Sequence, residues 1–228
     1  MAISVGQHVE AHGNSAAGTR TTSSVNTQAS GSSFLIFILS NTNGPTVSDS
    51  MGNSYSAISA AQGGNIGTFL YLCCYLCENG SGGTGHTFSS TNCYNIFAIE
   101  IVGGVTTGLV DTDAKALDTA QAWVTASMTP TQDGDLIVCC CCEGSSANPA
   151  ALTPTYASIL DTVTNGASYW IGAVASLVQG SAAAFQESWS DSTGGSGGLV
   201  WQVAMKAAAA GGGPVVPVFL NQYRQRRN

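Results

Sequence analysis

The sequence predicts an all-β chain: an antiparallel β-sandwich, jelly-roll-like or concanavalin-like, carrying an extended C-terminal arm. Three observations lead there. Short runs of β-branched, aromatic and Leu residues recur along the whole chain, each bounded by Gly, Ser, Asn or Asp. Only 112–121, "TDAKALDTAQ", and the Ala run 207–210 look helical, and the first reads equally as a turn leading into a strand at 122–128. At 228 residues the chain is long enough to bury a sizeable core.

In order, strands are expected at 3–10, 19–28, 33–40, 46–48, 54–59, 68–77, 86–89, 94–102, 120–128, 135–143, 156–164, 169–177, 180–189 and 198–206. The segments between them carry turn chemistry: Gly52-Asn53 in "SDSMGNSY", the Gly-rich "ENGSGGTGHT", and Asp133-Gly134 in "TQDGDL". Neighbours in sequence are therefore expected to pair as antiparallel strands, within one sandwich domain spanning 1–206.

Residues 207–228 read differently. An Ala/Gly hinge leads to Pro214, Val215, Val216, Pro217, Val218, Phe219 and Leu220, then Tyr223, Arg224, Arg226 and Arg227. Two prolines oppose both helix and central strand, so the segment is expected to be extended. An exposed "VVPVFL" needs a cover, which makes these residues the candidate docking arm.

Hydrophobic residues make up 44% of the chain and charged residues 8%, about a third of the charged fraction usual in soluble domains. Such a surface suits a protein packed in an assembly, and a homo-oligomer is expected. Residues 1–206 hold three basic and 13 acidic residues, a net −10, against +3 in the tail. An acidic body disfavours nucleic acid, whose phosphates need a basic footprint. The start, "MAISVGQHVEAHGNS", has no basic segment followed by an apolar one, so no signal peptide is expected. The longest apolar runs, "SFLIFILS" and "IGTFLYLCCYLC", fall short of a membrane-spanning helix.

Eight cysteines, seven of them in "YLCCYLC" and "LIVCCCC", invite a search for chemistry. Cys73, Cys74 and Cys77 contain the C-x-x-C half of many zinc sites, but such ligands sit on tight turns. On a strand successive side chains alternate faces, which puts Cys73 and Cys77 with Tyr71 and Tyr75, and Cys74 with Leu70 and Leu72. The same rule sets Cys140 and Cys142 with Val138, and Cys139 and Cys141 with Ile137. Neither cluster has a Lys, Arg or His nearby in sequence to lower a thiol pKa, and disulfide frameworks belong to exported chains. The thiols are expected to be reduced, buried core residues.

Other candidates are weaker. His8 and His12 share a face if their strand is continuous, and His86 stands alone. Asp111/Asp113 and Asp133/Asp135 could be cation ligands or turn caps. No G-x-S-x-G elbow, Walker loop or dinucleotide fingerprint occurs, and "GGSGG" at 194–198 lacks a following helix. Trp123, Trp170, Trp189 and Trp201 are expected in the core. No catalytic residue, metal or cofactor is assigned, and no enzyme activity is expected.

One set of motifs goes further. "VSDSMGNSY", "ENGSGGTGHT", the "EIVGG" strand end and "TPTQDGDL", in this order over roughly residues 30–140, resemble a pattern found in bacteriophage β-sandwich structural proteins. The resemblance implies a virion component such as a head decoration protein, a fibre or a tail-associated adhesin, assembled in the host bacterial cytoplasm. The expected partners are the major capsid or other virion proteins, and for an adhesin in host attachment, a host glycan. The family supplies no catalytic residues. Cysteines replace the expected Val, Ala or Phe of its strands, as a core position permits.

Overall fold

The computed structural model describes residues 2–13, 16–65, 69–118, 122–144, 152–163, 170–191 and 197–208. Among these, sixteen strands form, with no helix: β1 (Ser4–His12), β2 (Gly18–Thr21), β3 (Ser32–Ser40), β4 (Val47–Asp49), β5 (Ser56–Ala57), β6 (Gln62–Asn65), β7 (Phe69–Gly80), β8 (Phe88–Val102), β9 (Val110–Asp118), β10 (Ala122–Val124), β11 (Leu136–Gly144), β12 (Leu152–Pro154), β13 (Ser158–Val163), β14 (Trp170–Val178), β15 (Ser188–Asp191) and β16 (Gly198–Met205). The first sheet runs β1-β8-β3-β7-β5, with β2 and β4 also on β8 and β6 on β7; the second runs β13-β14-β11-β16-β9; a small third is β10-β15-β12. The expected antiparallel sandwich is present, extended by this third sheet.

Three cores hold the layers. Between the two large sheets, Leu35, Phe37 and Leu39 of β3 and Phe97 of β8 meet Val138, Cys140 and Cys142 of β11 and Trp201 of β16. Behind the second sheet, Ile137, Cys139 and Cys141 pack against Trp123 and Trp189 of the third. Outside the first sheet, Phe34, Ile36, Ile38, Cys73 and Cys77 lie under Val25, Val47, Tyr55 and Tyr75. A strand covered on both faces needs an unbroken apolar run, because neither side-chain row reaches water. That is why all nine residues of β3 are buried, and why β11 can carry Ile, Val and Cys without alternation.

The thiols follow the predicted division: Cys74, Cys140 and Cys142 face the central core, Cys139 and Cys141 the third sheet, and Cys73, Cys77 and Cys93 the outer core. All eight are buried and none is in a disulfide. The four tryptophans are buried too, Trp123, Trp189 and Trp201 almost completely.

Two expectations fail. Residues 112–118 form neither a helix nor a turn: Val110–Asp118 is the edge strand β9, paired with β16 from Gly198↔Asp118 to Met205↔Val110, while 119–121 lie outside the described residues. Ala, Lys and Leu favour helix in isolation, but here Ala114 and Ala116 fill the space beneath the third sheet, and a ladder with an all-buried strand outweighs propensity. Ala207 likewise bridges Gly104, while residues 209–210 lie outside the described set. Second, sequence neighbours rarely pair. Among the described strands only β6 with β7 and β13 with β14 do so: β1 to β8 share one sheet but are interleaved within it, β8 lying between β1 and β3, and from β9 onward most successive strands alternate between the second and third sheets. The crossing from the first sheet to the second passes Gly103, whose φ of +77° and whose Cβ position 2.4 Å from the Ala2 carbonyl both demand glycine.

Candidate functional site

The predicted arm residues, 214–220, Tyr223, Arg224, Arg226 and Arg227, lie outside the described residues. The root of the arm is described. Lys206 N donates to Leu109 O at 2.8 Å, Val105 N donates to Lys206 O at 3.2 Å, and Ala208 N donates to Gly103 O at 3.1 Å. Gln132 Nε2 donates to Ala207 O at 3.2 Å. The chain thus leaves β16 beside the start of β9 and heads across the end of the sandwich toward Gly103 and Ala2, on the β1 side.

Two acids meet at this root. A register shift opposite Ala204/Met205 makes Asp111 the extra residue of β9, and the bulge separates it from Asp113. Asp111 Oδ1 accepts from Thr131 Oγ1 at 2.7 Å and lies 3.7 Å from Lys206 Nζ. Burial opposes its charge, but Thr131 and Lys206 hold its pKa below the ordinary value. Asp135 is wholly buried; burial, reinforced by the charge of Asp111, raises its pKa. Asp113 turns elsewhere, accepting from Trp201 Nε1 at 3.0 Å and Ser59 Oγ at 2.8 Å, and Asp133 caps Ala182 N at 2.6 Å. Neither sequence pair therefore acts as a unit. Among the described residues no group of three or more His, Cys, Asp or Glu is placed to hold a metal ion.

The strongest polar network joins the first two motifs of the resemblance. Asp49 Oδ1 accepts from Met51 N and Asn53 N, both at 3.0 Å, and Oδ2 from Tyr55 OH at 2.6 Å and Asn53 Nδ2 at 2.7 Å. Asn53 also exchanges hydrogen bonds with the backbone of Ser81, at 2.8 Å each way. His86, fully buried, places Nε2 3.1 Å from Asp49 Oδ2, within charge-pairing distance though angled off a hydrogen bond. Its Nδ1 lies 2.9 Å from Thr27 Oγ1. Burial works against the Asp49 charge, and the bonds from Tyr55 and Asn53 overcome it and lower its pKa.

Hydroxyl, imidazole and carboxylate in a row invite comparison with a catalytic relay, but the geometry serves a clamp. Thr27 Oγ1 accepts from Gly83 N at 3.0 Å, and a Cβ on Gly82 would stand 2.4 Å from it, so loop backbone covers the hydroxyl. The imidazole is held by the Phe34 and Phe88 rings, centroids 4.9 and 4.2 Å away.

Two other buried acids are built the same way. Glu100, in the third motif, accepts from Gln28 N and Ser32 Oγ at 2.7 Å and Gln7 N at 2.9 Å. Glu187 accepts from four backbone amides, Thr155, Tyr156, Ala157 and Ser188, at 2.8 to 3.0 Å. Carboxylates held by several N–H groups fix loops that have no ladder of their own. The remaining histidines are surface partners: His8 of Asp161 and His12 of Glu10, each at 2.9 Å.

One groove of about 480 Å³ opens along the sandwich edge, between β5 and the first half of β9. Its floor is the margin of the central core, Ile58, Leu76 and Val110. Every charged residue lining it is an acid: Glu78, Asp111 and Asp113. Sequence reasoning missed it, since its walls come from segments about fifty residues apart that only the sheet order brings together.

No family model, no curated protein and no solved structure matches the chain.

Proposed function

We propose that the chain is a structural protein of a bacteriophage particle, a capsid decoration or accessory protein that binds the particle surface and self-associates. The observation that carries this reading is the clamp of Asp49, Asn53, Tyr55 and His86. The residues on which the phage-protein resemblance rests are those that fasten long loops onto the sandwich. The chain spends its buried acids on holding its shape, as a protein built to present a durable surface does. A low charge density and thiols used as core filler agree with folding and assembly in a bacterial cytoplasm. The partners are the major capsid or another virion protein, met through the arm.

The test is to purify particles from the source phage or prophage, search them for this chain by mass spectrometry, and repeat with a gene ending after Ala207. The chain should be found in particles at many copies, and the truncated form should stay folded yet be lost from them. Absence of the full chain from particles would end this reading.

A second reading, a host-glycan adhesin, is favoured by one feature. Tyr156, 67% exposed, stands beside Phe185 at 6.1 Å between centroids, over a shallow cleft of about 380 Å³. A glycan array without hits would remove it.

A further inference from the structure

We propose that the β5–β9 groove receives residues 214–227 of a second copy of this chain, added as an extra strand beside β9, so that copies join head to tail. This rests on the reading of that segment as a docking arm and supplies its receptor.

Four observations converge on it. Among the described residues β9 ends the second sheet and pairs with β16 alone, so alternate N–H and C=O groups of its first half, 110–113, are turned toward the groove. Such an edge invites an extended peptide, with main-chain bonds giving affinity and alternate side chains filling pockets. The floor is apolar and the lining acidic, which matches a segment that reads "PVVPVFL" and then "NQYRQRR". Valines and Phe219 would cover Ile58, Leu76 and Val110, while the arginines approach Glu78, the most exposed acid. Of the lining acids, Asp111 is already paired with Lys206 at 3.7 Å and Asp113 is held by Trp201 and Ser59, which leaves Glu78 for an arginine; Lys115 is committed to Ser59 Oγ at 2.7 Å and lies over the Trp201 ring.

The occupant comes from another copy because of where the root points. Ala207 and Ala208 pair with Gly104 and Gly103, which carries the chain toward β1, the opposite edge of the first sheet from β5. The 20 residues after Ala208 reach up to roughly 65 Å when extended, enough to leave a sheet whose five strands span roughly 20 Å. An arm whose root adjoins the groove at Asp111 but is led away from it at Ala207 and Ala208 makes a heterologous contact with a second copy, the kind that builds rings or arrays.

The experiment titrates a fluorescein-labelled peptide of residues 213–228 into the chain truncated after Ala208 and reads anisotropy. Saturable binding is expected. It should weaken roughly tenfold or more when the peptide carries Arg224→Glu, Arg226→Glu and Arg227→Glu, or when the truncated chain carries Thr112→Arg or Ala57→Arg, with unchanged melting temperatures showing those variants folded. No binding, or binding indifferent to all of these changes, overturns the proposal. Sedimentation of the full chain should show association that truncation abolishes and free peptide competes away. A full chain that stays monomeric while the peptide binds the truncated form places the arm in its own groove and overturns the second-copy assignment. Peptide binding by a chain absent from particles would sink the particle reading alone, whereas particle incorporation without peptide binding would sink the groove alone.

Discussion

The thiols have a single consequence, set by burial. Desolvation pushes Cys74, Cys139 and Cys140 well above the ordinary thiol value, and Cys73 to about 11. A folded pKa raised above the unfolded one contributes stability that is intact below the unfolded value and lost as pH rises past it. Above 9.0, the ordinary thiol value, each thiol ionised only in the unfolded chain should cost about 1.4 kcal/mol per pH unit. Urea denaturation on either side of that pH should therefore show a steep alkaline fall, and native thiols should resist alkylation until the chain unfolds. Cys140→Ser, which sinks a hydroxyl between the large sheets, should cost about 1–3 kcal/mol in the same assay.

Among the elements, the loops are held by acids and the strands by apolar faces, and the two can be separated. Glu187→Ala leaves the amides of Tyr156, Ala157 and Ser188 without their carboxylate acceptor and Thr155 N with the Ser188 carbonyl alone; it should cost more than about 3 kcal/mol, and hydrogen exchange should quicken first at Tyr156, Ala157 and Ser188. Gly103→Ala puts a side chain against the Ala2 carbonyl at a positive φ and should cost about 1–3 kcal/mol, read as a lower melting temperature. The strands were the legible part of the sequence. "SSFLIFILS" and "LIVCCCCEG" are buried on both faces and can be little else, and the division of the cysteines followed from period two alone. β9 was not legible, because Ala114 and Ala116 are small only to fit beneath the third sheet, and smallness also reads as helix. The clamps were half legible: the motifs that meet at Asp49 and His86 stood out as a resemblance, but nothing local links a carboxylate to an imidazole 37 positions away. The groove was invisible for the same reason, being a product of sheet order.

At the scale of the whole molecule, the second large sheet belongs to two cores at once. The central sheet cannot melt away from one neighbour without exposing the other, so the described body should unfold in one calorimetric transition, and truncation after Ala208 should leave that transition in place. Its pairings join distant segments, β1 with β8 and β9 with β16, so folding should be slow, in milliseconds to seconds, as stopped-flow fluorescence of the four tryptophans can measure. The cysteine tract of β11 carries one more consequence. Sliding that strand by one residue against β14 and β16 would exchange thiol for thiol through its middle, so the tract reads the same in both frames. The frame is marked at its ends, by Asp135 just before the strand and Glu143 near its close, both fully buried. A slip would swing either carboxylate into the Phe37–Trp201 side. The tract is a ruler without graduations, and two acids serve as its zero marks.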